Sequence, residues 1–114
     1  MRTRAGPTHS AIVKAGEHAL SQVVALDLAK YNIRVNTVCP VPTATEQVLA
    51  RMDDPEKRPA EEARMKKIPM GRYATPQDVA NAVVFLASAP ASFITWAVLP
   101  ADGGYTIGEP PVVE

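Results

Sequence analysis

Cysteine is nearly absent from this chain, with Cys39 the single example in 114 residues. One thiol closes no internal disulfide and builds no metal-ligand spacing, so the expectation is a reducing, cytoplasmic setting and no metal centre. Net charge is missing too. Twelve basic residues balance twelve acidic ones, and neither sign gathers into a run that would serve nucleic acid or an anionic membrane. Where charge is densest, Lys57, Arg58, Arg64, Lys66 and Lys67 interleave with Asp53, Asp54, Glu56, Glu61 and Glu62. That mixture reads as a solvated, self-neutralising surface. No stretch reaches the ~18 apolar residues of a membrane span, and the first ten residues carry no apolar segment behind their arginines, so a soluble, untargeted protein is expected. Repeats and low-complexity tracts are also lacking. What remains is one domain at most, with its prolines clustered between periodic segments where they punctuate loops.

The segment 10–30 has no proline and is rich in Ala, Leu, Lys and Gln, which predicts a helix. Ser10, Lys14, Glu17 or His18, and Ser21 recur at three- and four-residue steps as one narrow polar stripe. Ile12, Val13, Leu20, Val23, Val24, Leu26 and Leu28 cover much of the remaining circumference, so the helix is expected to be buried on two sides. Next comes a β-branched run, Ile33 to Val38, short enough for a buried strand and stopped by Cys39-Pro40. Residues 41–74 are mostly connection, with a capping-box start at Thr43-Ala44-Thr45-Glu46 for a short helix through Met52 and a second short helix over about 60–67. Thr75-Pro76-Gln77-Asp78 then supplies a helix start: threonine at the cap, proline in the first turn and an acid at the positive end of the dipole. That helix runs over 76–88 and Pro90 prevents its continuation. A second strand follows within Ile94 to Pro100, with 97–100 as its pairing part, ended by Asp102-Gly103-Gly104; 107–114 is an irregular tail.

Strand, crossover helix and strand in this spacing predict a parallel pair. Two strands are few for a parallel sheet, which is normally covered on both faces and contains more members. The pattern therefore looks like the edge of a larger α/β sheet.

Three segments, HSAIVKAGEHALSQVVALDLAKYNIRVNTVCPVPTAT, IPMGRYATPQDVANAVVFLAS and ITWAVLPADGGYT, resemble in order and spacing the C-terminal half of the short-chain dehydrogenase/reductase family. The resemblance covers about residues 7–106. It implies a doubly wound, Rossmann-like α/β sheet with NAD or NADP across the carboxyl ends of its strands, hydride transfer to or from an alcohol or carbonyl substrate, and assembly as a homo-oligomer or with related subunits. It also implies site residues. Lys14 stands where the family has the lysine of its Tyr-x-x-x-Lys pair, and Pro40, Val41, Thr43 and Thr45 fall in the loop that meets the nicotinamide.

The departures bear on activity. Ser10 occupies the tyrosine position, and an aliphatic hydroxyl lacks the phenol's titration near pH ~10 that a neighbouring cation could bring toward neutrality. His9 is a competent proton shuttle by chemistry, but five residues of regular helix rotate it about 140° away from Lys14, so it substitutes only through a π-bulge. Tyr31 lies too far along the helix to help. The Gly-rich dinucleotide turn and the substrate-orienting serine have no counterpart in this chain. Val41 replaces the family's glycine after Pro40, and Trp96 replaces a glycine where a positive φ is tolerated. Each retained residue has a plain alternative: Lys14 as a solvated helix lysine, Thr45 as a helix-start threonine. The chain alone is expected to be inactive, a truncated or degenerate oxidoreductase or an interaction module that pairs with full-length relatives.

Overall fold

A computed structural model describes residues 8–108, with side chains from residue 12 onward; the side chains of His9 and Ser10 and the tail 109–114 lie outside the described residues. The elements are α1 (Thr8–Ala29), β1 (Thr37–Pro40), α2 (Glu46–Asp53), α3 (Arg58–Met65), α4 (Pro76–Ala87) and β2 (Val98–Ala101), with one 3-10 turn at Ala89–Ala91. β1 and β2 pair in parallel, Thr37 opposite Val98 through Pro40 opposite Ala101. α4 connects back to β2 and packs on both strands. This is the expected α/β crossover, and among the described residues no third strand joins it.

Local chemistry explains the boundaries. α1 ends where Asn32 enters the left-handed region at φ 60°, which Asn tolerates better than other side-chain-bearing residues. Ile33 and Asn32 then donate to the carbonyls of Leu28 and Ala29. α4 begins as its sequence dictates, with the Thr75 hydroxyl accepting from the Asp78 amide at 3.0 Å and the Asp78 carboxylate accepting from the Thr75 amide at 2.8 Å.

Three expectations need correction. The first strand was placed at Ile33 to Val38 but runs over Thr37–Pro40. The earlier segment is held to 94–97 largely by side chains. The Asn36 amide donates to the Ile94 carbonyl and accepts from the Ala97 amide, and the Val35 amide donates to the Thr95 hydroxyl. The strand does end at Pro40, as expected. The cap of α2 is Thr45, whose hydroxyl accepts from the Val48 amide at 3.4 Å, and not Thr43, which bridges to Ala74 instead. Finally, α1 is not buried on two sides by this chain. Among its described side chains only Ala25 is fully covered, while Ile12, Leu20, Val23 and Leu26 stand in solvent, Leu26 at 78% exposure.

The apolar core lies elsewhere than between helix and sheet. Val48, Ile68 and Tyr73 are buried together, with Ala44, Met65 and Tyr105 packed against them. Residues 44–73 therefore supply most of a small core, completed by Tyr105 from beyond β2.

Candidate functional site at the carboxyl ends of the strands

In an open parallel sheet, ligands bind beyond the carboxyl ends of the strands, because that is where the connecting loops diverge and leave a crevice. Both strands here end against such a crevice, a cleft of about 280 Å³. Val41, the residue after β1, lines it, as do Pro100, Ala101, Asp102 and Gly103 from the end of β2 and Met70, Arg72, Ala74 and Asp78 from the approach to α4.

The four residues of the expected cofactor loop are contiguous with this edge. Pro40 closes β1 opposite Ala101, and Val41 turns its half-buried side chain into the cleft. Thr43 donates its hydroxyl to the Val41 carbonyl at 3.0 Å, which tightens the turn. Thr45 begins α2, and its hydroxyl keeps a proton to donate outward while it accepts from Val48. Lys14 lies apart from these contacts. Its ammonium is solvent-exposed and pairs with Glu17 one turn on at 2.8 Å, an i,i+3 contact of the kind that dresses a helix surface. His18, one turn from Lys14 and next to Glu17, meets Trp96, ring centroids 6.4 Å apart, and so connects the lysine-bearing helix to the loop before β2. Trp96 does adopt positive φ, at 53°, a conformation that costs a non-glycine residue about 1 to 2 kcal/mol.

Electrostatics within the cleft are largely internal. Arg72 donates to the Asp78 carboxylate at 2.6 Å, and this guanidinium, followed by the Thr75 amide and hydroxyl, holds the Asp78 carboxyl well below the usual range. Burial pushes the Asp102 carboxyl up. The Thr106 hydroxyl and amide and the Gly104 amide outweigh burial and leave it below its ordinary value. The cleft's acids are thus ionised and already partnered.

Sequence reasoning missed two features. Arg72 reaches Asp78 across a bend, outside the i,i+4 spacing that reads as a helix pair. Glu61, assigned to a solvated charge run, is 3% exposed; it lies against Tyr73, twelve residues on in the chain. No local spacing signals either contact. Among the described residues no cluster of three or more His, Cys, Asp or Glu could hold a metal ion, and no helix is long and apolar enough to cross a membrane.

Would NAD or NADP fit these residues? At the carboxyl end of β1 the residues present offer a loop, a threonine hydroxyl at Thr45 with a proton to donate, and Val41 at the cleft wall. The adenine and pyrophosphate end is not provided among the described residues, whose glycines at 71, 103, 104 and 108 form turns rather than a three-glycine cradle at a helix N-terminus.

Parallel strands, a crossover helix and a cleft at the carboxyl ends define a partial Rossmann-like α/β protein. Comparison with known proteins narrows the class. A family profile described as "Enoyl-(Acyl carrier protein) reductase" matches residues 2–106, and the chain belongs to the short-chain dehydrogenase/reductase family. It is 44% identical over 97 residues to an L-rhamnose 1-dehydrogenase (NAD(P)(+)) of Sphingomonas sp. (strain SKA58), covering 85% of this chain and 37% of that protein. It is 40% identical over 92 residues to "Inactive 2-(S)-hydroxypropyl-CoM dehydrogenase 2" of Xanthobacter autotrophicus, covering 77% and 39%. Among solved structures, the ligand-free aldohexose dehydrogenase of Thermoplasma acidophilum superposes with a TM-score of 0.80 at 34% identity, over 98% of this chain and 46% of that one. The chain therefore spans less than half the length of these relatives.

Proposed function

We propose that these residues form the nicotinamide-facing half of an NAD(P)-dependent oxidoreductase acting on an alcohol or carbonyl carbon, and that the chain by itself transfers no hydride. The observation that carries the second part is Ser10 four residues before Lys14 on one uninterrupted α-helix, Thr8–Ala29. On a regular helix positions four apart share a face and positions five apart do not. The π-bulge that a histidine acid would need therefore has no support. Serine at that position offers the ribose or the substrate a hydrogen bond but no phenol to share a proton. A relative whose name marks it inactive is consistent with loss of turnover in this family, and relatives named for L-rhamnose and galactitol favour a polyol or sugar hydroxyl as the substrate class.

Fusion of the N-terminal half of an active relative upstream of this chain tests the reading. The fusion should show little NAD(P)H turnover, and Ser10→Tyr should raise it by ~100-fold or more, the scale of a positioned general acid. Activity in the unmodified fusion that disappears on His9→Ala would overturn it.

A second reading has its own support. α1 leaves Ile12, Leu20, Val23 and Leu26 in solvent, and among the described residues β1 has a partner on one side only. Such surfaces are completed by another protein surface, so the chain also serves as an association module, pairing with itself or with full-length relatives.

A further inference from the structure

Residues 44–73 leave the sheet after β1 and return just before α4, and the two ends of this excursion are pinned together. Thr43 and Ala74 form a parallel bridge, and the Ala44 amide donates to the Ala74 carbonyl at 2.7 Å. Between these ends lie α2 and α3, eight residues each. Helices that short do not hold their own shape in water and must be fixed by tertiary contact. The apolar material for fixing them is small: three buried side chains, of which only Ile68 is almost fully enclosed at 1% exposure.

Glu61 supplies the rest. It projects from α3 into this core. Its carboxylate accepts from Arg51 Nε of α2 at 2.7 Å and from Arg64 Nη1 of its own helix at 3.2 Å, while the Tyr73 hydroxyl lies 2.7 Å from the other oxygen. One side chain thus touches both helices and the strand-like exit to α4. Burying a carboxylate is unfavourable unless its partners are all in place. Apolar contacts tolerate sliding, whereas this set of three donors is satisfied in one arrangement of the helices only. The exit it holds also carries Arg72, beside Tyr73, and Met70, whose amide bonds the Gly103 carbonyl at 3.1 Å; both line the cleft.

We infer that Glu61 is a positioning residue that locks α2 and α3 into a single preformed cap, so that the wall of the cleft contributed by Met70 and Arg72 is set before any ligand arrives. The inference concerns the cap's shape and stands whether or not the site turns over. The shape is imposed by the carboxylate acting through Arg51 and Tyr73, and neither partner suffices without it.

Amide hydrogen exchange on the full chain, compared for Glu61→Gln, Tyr73→Phe and the double variant, tests the lock. Tyr73→Phe keeps the ring in the core and removes only the hydroxyl, so it reads the lock even where Glu61→Gln fails to fold. Each single change should accelerate exchange within residues 46–65 by about 10-fold or more, the scale of a lost charge-assisted bond, and leave β1, β2 and α4 unchanged. Because the two changes share the contact between the Tyr73 hydroxyl and the Glu61 carboxylate, while each also removes a bond of its own (Tyr73 to the Glu61 carbonyl at 2.9 Å, Glu61 to the two arginines), the double variant should exchange more slowly than the product of the two single effects. Arg51→Lys, which keeps the charge and loses the planar donor, should recover part of the protection lost in Arg51→Ala. Equal acceleration throughout the molecule, no acceleration in 46–65, or a multiplied effect in the double variant would each overturn the inference.

Discussion

Arg34 is where a single substitution should be felt most widely. It precedes β1, and its guanidinium reaches across to α4, donating to the Leu86 carbonyl at 2.6 Å and the Ile94 carbonyl at 3.1 Å, with the Ser88 carbonyl at 3.5 Å. The last carbonyls of a helix have no partner within it, and α4 has no basic residue of its own in its last turn. Arg34 therefore supplies both the missing donors and the missing cation. The Ile94 carbonyl is also served by the Asn36 amide at 3.0 Å, so its share of the loss is small, and the bond at 3.5 Å is weak. What Arg34→Ala removes is essentially one charge-assisted bond, worth about 1.5 to 3 kcal/mol, plus a charge–dipole contribution of about 0.3 to 1 kcal/mol. The sum is about 2 to 4 kcal/mol, a large part of the stability of a chain this size. Urea unfolding followed by circular dichroism should show the midpoint lowered by about 0.7 to 4 M, taking a slope of ~1 to 3 kcal/mol/M. Arg34→Lys should fall between, since an ammonium keeps the charge but reaches fewer carbonyls. A loss below about 0.5 kcal/mol for Arg34→Ala would refute the claim that this side chain clamps α4 to the sheet.

Acid should loosen the chain in a defined window. Tyr73, opposed by burial and helped by Arg51, holds the Glu61 carboxyl below its ordinary value, and Arg72 does the same for Asp78; both acids contribute stability above their unfolded pKa of ~4 and lose it as pH falls further. Unfolding midpoints should be flat from about pH 8 to 5 and drop below about 4, with a shallower drop in Asp78→Asn; an unchanged drop in that variant would count against the Arg72 pair. At the alkaline end, burial first and then the Glu61 carboxylate push the Tyr73 phenol up to about 12. Because that value exceeds the unfolded ~10, the associated stability is present below pH ~10 and lost as pH rises toward 12. In an absorbance titration, Tyr73→Phe should delete the phenolate signal that develops near 12. Association should accompany stability: burying an exposed Leu or Val of α1 is worth ~1.5 to 3 kcal/mol, so sedimentation should show a dimer or larger species and unfolding midpoints should rise with protein concentration. A monodisperse monomer with a concentration-independent transition would contradict this.

How much of this was legible in the sequence depended on whether the signal was local. The α4 start was readable because Thr75, Pro76 and Asp78 act within one turn, and both helix and cap appear as the residues dictate. The positive φ at Trp96 was readable as a conflict between residue type and backbone. The start of β1 was displaced by four residues and its end by two, because Ile33 and Val35 have the same β-branched character as Val38, while Arg34 and Asn36 decide the matter through bonds to residues 52 to 61 positions away. Composition recorded them only as polar interruptions. Glu61 fails for a related reason: a carboxylate in a mixed-charge run looks solvated until Arg51, Arg64 and Tyr73 are seen to converge on it. The α1 pattern was read correctly as apolar on more than one side, but the surface that would cover it is not among the described residues.

The proposed nicotinamide-side loop stands without a pyrophosphate cradle among the described residues, and calorimetric titration of the 114-residue chain with NADH and NADPH tests that proposal directly. The predicted dissociation constant is no tighter than roughly millimolar for either nucleotide, about 4 kcal/mol of binding. A micromolar constant, about 8 kcal/mol, would mean that the chain builds a phosphate site from other residues and would contradict the account.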